Sequence, residues 1–146
     1  MIVLRGDKQE KNKYSLWTVE SKKKESLLFT LDQWKTFNDK IIDFNNIGLL
    51  INSDQNIEFL EESLNLFSII QINFLTFKDG RPFSIARNLR TKFSYNGELR
   101  ASGYMLPDQY GYLMRCGFDT VEIPTKDKDI WINVLNLESR EFYQPF

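Results

Sequence analysis

Apolar positions along this chain follow two rhythms. IGLLIN (47–52) is a continuous apolar run, as a strand covered on both faces would show, and SIIQINFLTF (68–77) reads as the next strand. Elsewhere the spacing is helical. Leu31, Trp34, Asn38 and Ile41 share a face behind Thr30, a candidate N-cap. Ile57, Leu60, Leu64 and Phe67 share another, with Ser53 or Asp54 as the cap. Pro82 opens a helix whose buried stripe is Ala86, Leu89 and Phe93. Leu106 to Arg115 is a helix with Pro107 near its start and Gly117 as its left-handed stop. Asp127 to Leu137 is a last helix, with Ile130, Val134 and Leu137 aligned. GELRASG and FDTVEIP are further short strands, and SREFYQPF ends the chain as a strand or extended tail.

The middle of the chain thus reads strand–helix four times. Such alternation predicts parallel strands joined by right-handed crossovers. The expected fold is α/β: four β-α units on a mainly parallel sheet, half-barrel-like or small and open. An N-terminal β-hairpin (MIVLR, then polar DKQEKN, then YSLWTVE) and a helix precede them. Residues 1–146 form one domain, which at this length buries a core without disulfides or metals. Ligands in such folds sit at the carboxyl ends of the strands. Here those ends are 52–55, 77–81, 102–108 and 124–126.

Composition narrows the chemistry mainly by exclusion. Net charge is −1, so no global field draws nucleic acid or an anionic membrane. No apolar run approaches the ~20 residues of a membrane helix. One cysteine and no apolar leader at the amino end make a reducing cytoplasm the expected location. The absence of histidine removes the usual triads and the usual zinc sites, and no metal site is expected. One cysteine holds no iron–sulfur cluster. GxGxxG and GxxxxGK[ST] are missing, so the cofactor, if there is one, is undetermined.

Two loops carry candidate chemistry. Asp79, Gly80 and Arg81 precede a proline-started helix, whose amino end offers free N–H groups and partial positive charge. Arg81 adds a planar fork suited to oxyanions. Two readings fit: an anion over Gly80–Arg81, or a turn in which Asp79 caps the helix and Arg81 pairs with a surface acid. The second loop is GYMLPDQ, where Gly103 allows close approach or a bend, and Asp108 and Gln109 occupy a first helical turn. Asp108 is a candidate general base or a helix-dipole partner. Arg87 and Arg90 lie off the buried stripe of their helix and are read as solvated or partner-facing. Arg100 is expected to point outward or to pair with Glu98 or Glu122. Cys116, at a helix carboxyl end, is poorly placed for a thiolate. Trp17, Trp34 and Trp131 lie outside the predicted mouth and are read as core or interface.

The block FKDGRPFSIARNLRTKFSYNGELRASGYMLPDQYGYLMRCGFDTVEI (77–123) resembles the signature of a bacterial family of unknown function. Its members are labelled as oxidoreductases of sulfite reduction, from genes near assimilatory sulfite reductase. The likeness rests on Phe74, Phe77, Asp79, Gly80, Arg81, Ser84, Ala86, Arg87, Leu89 and Arg90, then Gly97 to Ala101, Gly103, Leu106, Asp108, Gln109 and Arg115 to Asp119. The chain departs at Leu75-Thr76, Pro82-Phe83 and Tyr104, where the family pattern has Pro-Lys, Gly-Tyr and an acid.

The resemblance implies sulfur metabolism but supplies no reaction. Sulfite reduction moves six electrons through haem and iron–sulfur centres, and this chain by itself ligates no cluster. The first expectation is an accessory protein that binds an oxyanion or docks on sulfite reductase subunits. The alternatives are a small barrel-derived enzyme using Asp108 or Asp79 with Arg81, and an atypical flavin or nicotinamide oxidoreductase. The exposed edges of a half-barrel predict a homodimer through tryptophan-bearing surfaces.

Overall fold

The computed structural model describes residues 1–143, with side chains as far as Glu138. The last three residues of the SREFYQPF segment lie outside the described residues, and its earlier part is helix rather than strand. The chain forms an α/β structure around one curled, mixed sheet of eight strands.

In chain order the strands are β1 (Ile2–Arg5), β2 (Lys8–Glu10), β3 (Ser15–Leu16), β4 (Ser26–Thr30), β5 (Asn46–Asn52), β6 (Ile69–Phe74), β7 (Glu98–Gly103) and β8 (Thr120–Ile123). The helices are α1 (Leu31–Ile41), α2 (Arg81–Thr91), α3 (Tyr110–Arg115) and α4 (Lys128–Tyr143), and Glu58–Leu66 is a 3₁₀ segment. The strands lie in the order β2-β1-β8-β7-β6-β5-β4-β3. Neighbours from β3 through β8 pair parallel; β1 pairs antiparallel with both β8 and β2. A hairpin does form at the amino end, turning at Gly6 (φ +60°), but its second strand is β2, inside the segment expected as the polar turn, and Ser15–Leu16 of YSLWTVE pairs parallel with β4 instead.

Local chemistry sets the boundaries where it is strong. Thr30 accepts from Gln33 N at 3.2 Å while Gln33 Oε1 accepts from Thr30 N at 2.9 Å, a reciprocal cap that starts α1. Pro82 sits in the first turn of α2, and Gly117 (φ +112°) follows the end of α3.

Two expected elements differ. The segment after β5 is 3₁₀, and neither Ser53 nor Asp54 caps it. Ser53 is instead buried against β6, donating its N–H to Asn73 O at 3.1 Å. The apolar face Ile57, Leu60, Leu64 and Phe67 is nonetheless fully inside. On α4 the expected stripe is wrong: Ile130 and Leu137 are 54% and 60% exposed, and Trp131 is buried. Trp131 meets the Tyr110 ring edge-on at 5.2 Å, so the largest apolar side chain decides which face turns inward.

Side-chain character, rather than burial, alternates along β6, β7 and β8, where most positions on both faces are buried. Ile47, Leu49 and Ile51, then Ile70, Ile72 and Phe74, then Leu99 and Ala101, then Val121 and Ile123 join the helices in one core. The other face carries Leu50 and Asn52, Gln71 and Asn73, Arg100 and Ser102, Thr120 and Glu122. Toward the rim this face is polar on β6, β7 and β8, while Leu28, Leu50 and Ile69 pack with Tyr14 in a second apolar cluster on it. Helices cover one side, and the segment holding Asn12 and Tyr14 crosses the other.

Candidate functional site

Parallel pairing brings the carboxyl ends of β5, β6 and β7 to one rim. Asn52 lies opposite Asn73, Asn73 opposite Ser102, and Phe74 opposite Gly103. Antiparallel β1 adds Ile2 beside Ile123 at the same edge. The loops with Asp79–Arg81 and with Asp108–Gln109 follow β6 and β7, so both begin at this rim.

Asp79, Gly80 and Arg81 form a closed turn. The Asp79 side chain is 2% exposed, and its Oδ1 accepts from Arg81 N at 3.1 Å and from Arg81 Nε at 2.9 Å. Its Oδ2 accepts from Arg81 Nη2 at 3.2 Å and from the Ser53 hydroxyl. The fork on the carboxylate is the main force holding the Asp79 carboxyl far below the usual range, against the opposing effect of burial. Asp79 in turn raises Arg81. The carboxylate thus meets the helix amide and the guanidinium as an external anion would. An oxyanion there has to share the half-exposed Arg81 with it. Gly80 has φ −91° and open space around a Cβ, so the backbone does not require glycine there.

Gly103 is required. Its φ is +92°, and a Cβ would fall 2.4 Å from both Asn73 Oδ1 and Phe74 O. Gln109 closes its own turn: its Oε1 accepts from Leu106 N at 3.0 Å. Asp108 is exposed on that turn. Cys116 is buried. Among the described residues, no cluster of three or more His, Cys, Asp or Glu could hold a metal.

The concave face holds the chemistry that the sequence reading missed. Arg100, its side chain 3% exposed, donates to Thr120 Oγ1 at 3.1 Å, Glu98 Oε2 at 2.9 Å and Asn12 Oδ1 at 2.9 Å. The expected partner Glu98 is correct, and the arginine points into the trough rather than to solvent. Nearer the rim, Asn73 Nδ2 donates to Asn52 Oδ1 at 3.2 Å and Ser102 Oγ to Asn73 Oδ1 at 3.4 Å. These side chains line a cavity of about 430 Å³ with Asn12, Gln71, Gly103 and Glu122. Gln71 is 5% exposed, and its Oε1 is enclosed with no hydrogen-bond partner among the described residues. A buried carbonyl left unmet costs about 1–3 kcal/mol. The available signal was the period-two polar pattern Gln71, Asn73 inside SIIQINF, and Arg100, Ser102 inside ELRASG.

A second cavity of about 360 Å³ adjoins the first at Met1 and Gly103. It is lined by Phe77, Tyr104, Met105, Ile123 and Trp131. Phe77 and Tyr104 pack edge-to-face at 5.2 Å on its rim. Trp131, expected away from the mouth, is core on one side and borders this cavity on the other.

The profile of a bacterial protein family of unknown function (DUF934) matches residues 48–146. The chain belongs to this family. The matched span contains β5 to α4, and with them both rim loops, Gln71 and most of each cavity. No curated protein and no solved structure matches the chain. No helix among the described residues of this DUF934 member is long and apolar enough to cross a membrane.

Proposed function

We propose that this chain is an accessory protein of assimilatory sulfite reduction that works by binding. It holds a small polar molecule over the concave face, at the carboxyl ends of β5, β6 and β7, and docks on a reductase that performs the electron transfer. One observation carries the binding site: the enclosed Gln71 carbonyl, unpartnered among the described residues, on the wall of a cavity of about 430 Å³ that combines amides and a hydroxyl with apolar side chains such as Leu28 and Leu50. That volume is in the range of small-molecule sites. The position agrees with where parallel sheets bind ligands. The link to sulfite reduction rests on the resemblance of residues 77–123 alone.

The test has two arms. Native mass spectrometry of gently purified protein, with thermal-shift titrations of sulfite, sulfate, FMN and NADPH, reports a ligand. Co-purification with sulfite reductase subunits reports the partner. Binding that Gln71→Met abolishes supports the site. Sulfite or sulfate binding that survives Gln71→Met but is lost in Arg81→Ala would move the site to the Asp79–Arg81 turn. FMN or NADPH binding with turnover would replace the accessory role by the oxidoreductase one.

A further inference from the structure

The lining of the rim specifies a ligand more narrowly than small and polar; this step rests on the concave cavity being a binding site. The first cavity presents Asn52, Gln71, Asn73 and Ser102 together with apolar Leu28 and Leu50, and its acidic side chain among the described residues is Glu122. The apolar cavity presents Phe77, Tyr104, Met105, Ile123 and Trp131, with Asp127 as its one acid. Neither lining contains a lysine or an arginine. The nearby guanidiniums are engaged elsewhere: Arg100 by Glu98 and Arg81 by Asp79. The charged side chains among these described linings are acidic, and a carboxylate head has no hydrogen to donate to the Gln71 carbonyl.

The two cavities share Gly103, which has no side chain, and Met1, whose side chain is largely exposed. The Gln71 carbonyl needs a donor, and its last side-chain torsion is soft enough to turn the amide toward the cavity. A carboxamide head satisfies that amide in both directions, donating to its oxygen and accepting from its nitrogen. An apolar ring attached to the head falls on the Trp131 side.

We propose that the two cavities form one site, continuous across Gly103, for an uncharged molecule with an amide-like head on Gln71 and an apolar ring between Tyr104 and Trp131. The head is a carboxamide, urea or lactam edge, and a carboxylate, which has no hydrogen to donate to Gln71, binds more weakly.

The test uses ¹⁵N-labelled full-length protein titrated with benzamide, benzoate and acetamide, followed by amide and side-chain resonances. Benzamide is expected to move the Gln71 side-chain amide and the Trp131 indole together, with one dissociation constant. Benzoate, with the same ring but a negative head, and acetamide, with the same head but no ring, are each expected to bind at least about ten-fold more weakly. Gln71→Met, with its fold checked by the same spectra, should weaken benzamide about ten-fold and leave acetamide and benzoate indistinguishable in strength. Benzoate binding as well as benzamide overturns the proposal while leaving a concave-face site. Gln71 and Trp131 responding with separate constants overturns the single site. No response to benzamide overturns the proposal, and the ligand-binding reading then stands or falls on the mass-spectrometric arm.

Discussion

Arg90 on α2 and Asp119, just before β8, form an ion pair at 2.6 Å. The same guanidinium donates to Tyr95 O at 2.9 Å, Gly97 O at 2.7 Å and Gly117 O at 3.0 Å. Asp119 also accepts from Leu99 N at 3.0 Å. One arginine thus ties α2 to the loops that enter β7 and β8, and it is neither solvated nor partner-facing. Arg90→Ala should destabilise the fold by about 3 kcal/mol, because it strands several acceptors. Arg90→Lys should recover less than half of that, since a point charge does not replace the fork. Urea unfolding of the two variants checks both values.

Gly103 and Gly80 belong to the same sequence signature but should behave differently. Gly103→Ala places a Cβ against Phe74 O in a left-handed backbone, and a loss of about 2 kcal/mol or more is expected. Gly80→Ala meets open space at φ −91° and should fall within about 0.5 kcal/mol of the native protein. A large loss at Gly80 would mean that the turn before α2 is built differently.

Acid stability should depend on Asp79. Its folded carboxyl lies far below the ordinary value near 3.8, chiefly through Arg81. The contribution is therefore complete above that value and disappears as the pH falls from there toward the folded value. Asp79→Asn should lower the melting temperature near pH 7 and flatten its decline below about pH 4. Parallel melting curves for both proteins across that range would count against the ion pair if their separation stayed constant.

At the alkaline end the tyrosines take over. Burial pushes the Tyr110 hydroxyl up to about 12 and that of Tyr95 higher still. Tyr95 donates to Phe67 O at 2.8 Å and Tyr110 to Gly6 O at 2.6 Å. A raised folded value means that stability is complete below the unfolded value near 10 and is lost as the pH rises through the folded one. Ultraviolet titration should show these two ionising later than the exposed tyrosines and together with unfolding. Ionisation of all tyrosines near 10 in the folded protein would contradict the packing.

Local chemistry made part of this legible in sequence. Thr30 with Gln33, Pro82 and Gly117 act within a few residues, and each marks a helix end where expected. The Asp79 cap on the Arg81 amide is local too and matches one of the two readings, though Arg81 pairs with the buried Asp79 itself rather than with a surface acid. Ser53 joins that turn from 26 positions away, which no spacing rule shows. Arg90 was misread for the same reason, since its acceptors come from other loops. Gln71 and Asn73 were visible as alternate polar positions. Their meaning depends on helices covering only one face of the sheet, a property of topology rather than of the strand itself.

The central claim is that Gln71 sits in the concave face for a ligand and not for the fold. The melting temperature of ligand-free Gln71→Met against the native protein tests it most directly. Removing a buried carbonyl that has no partner should leave stability unchanged or raise it, by up to about 3 °C. A drop of several degrees would show that the amide already supports the structure, and would contradict the account.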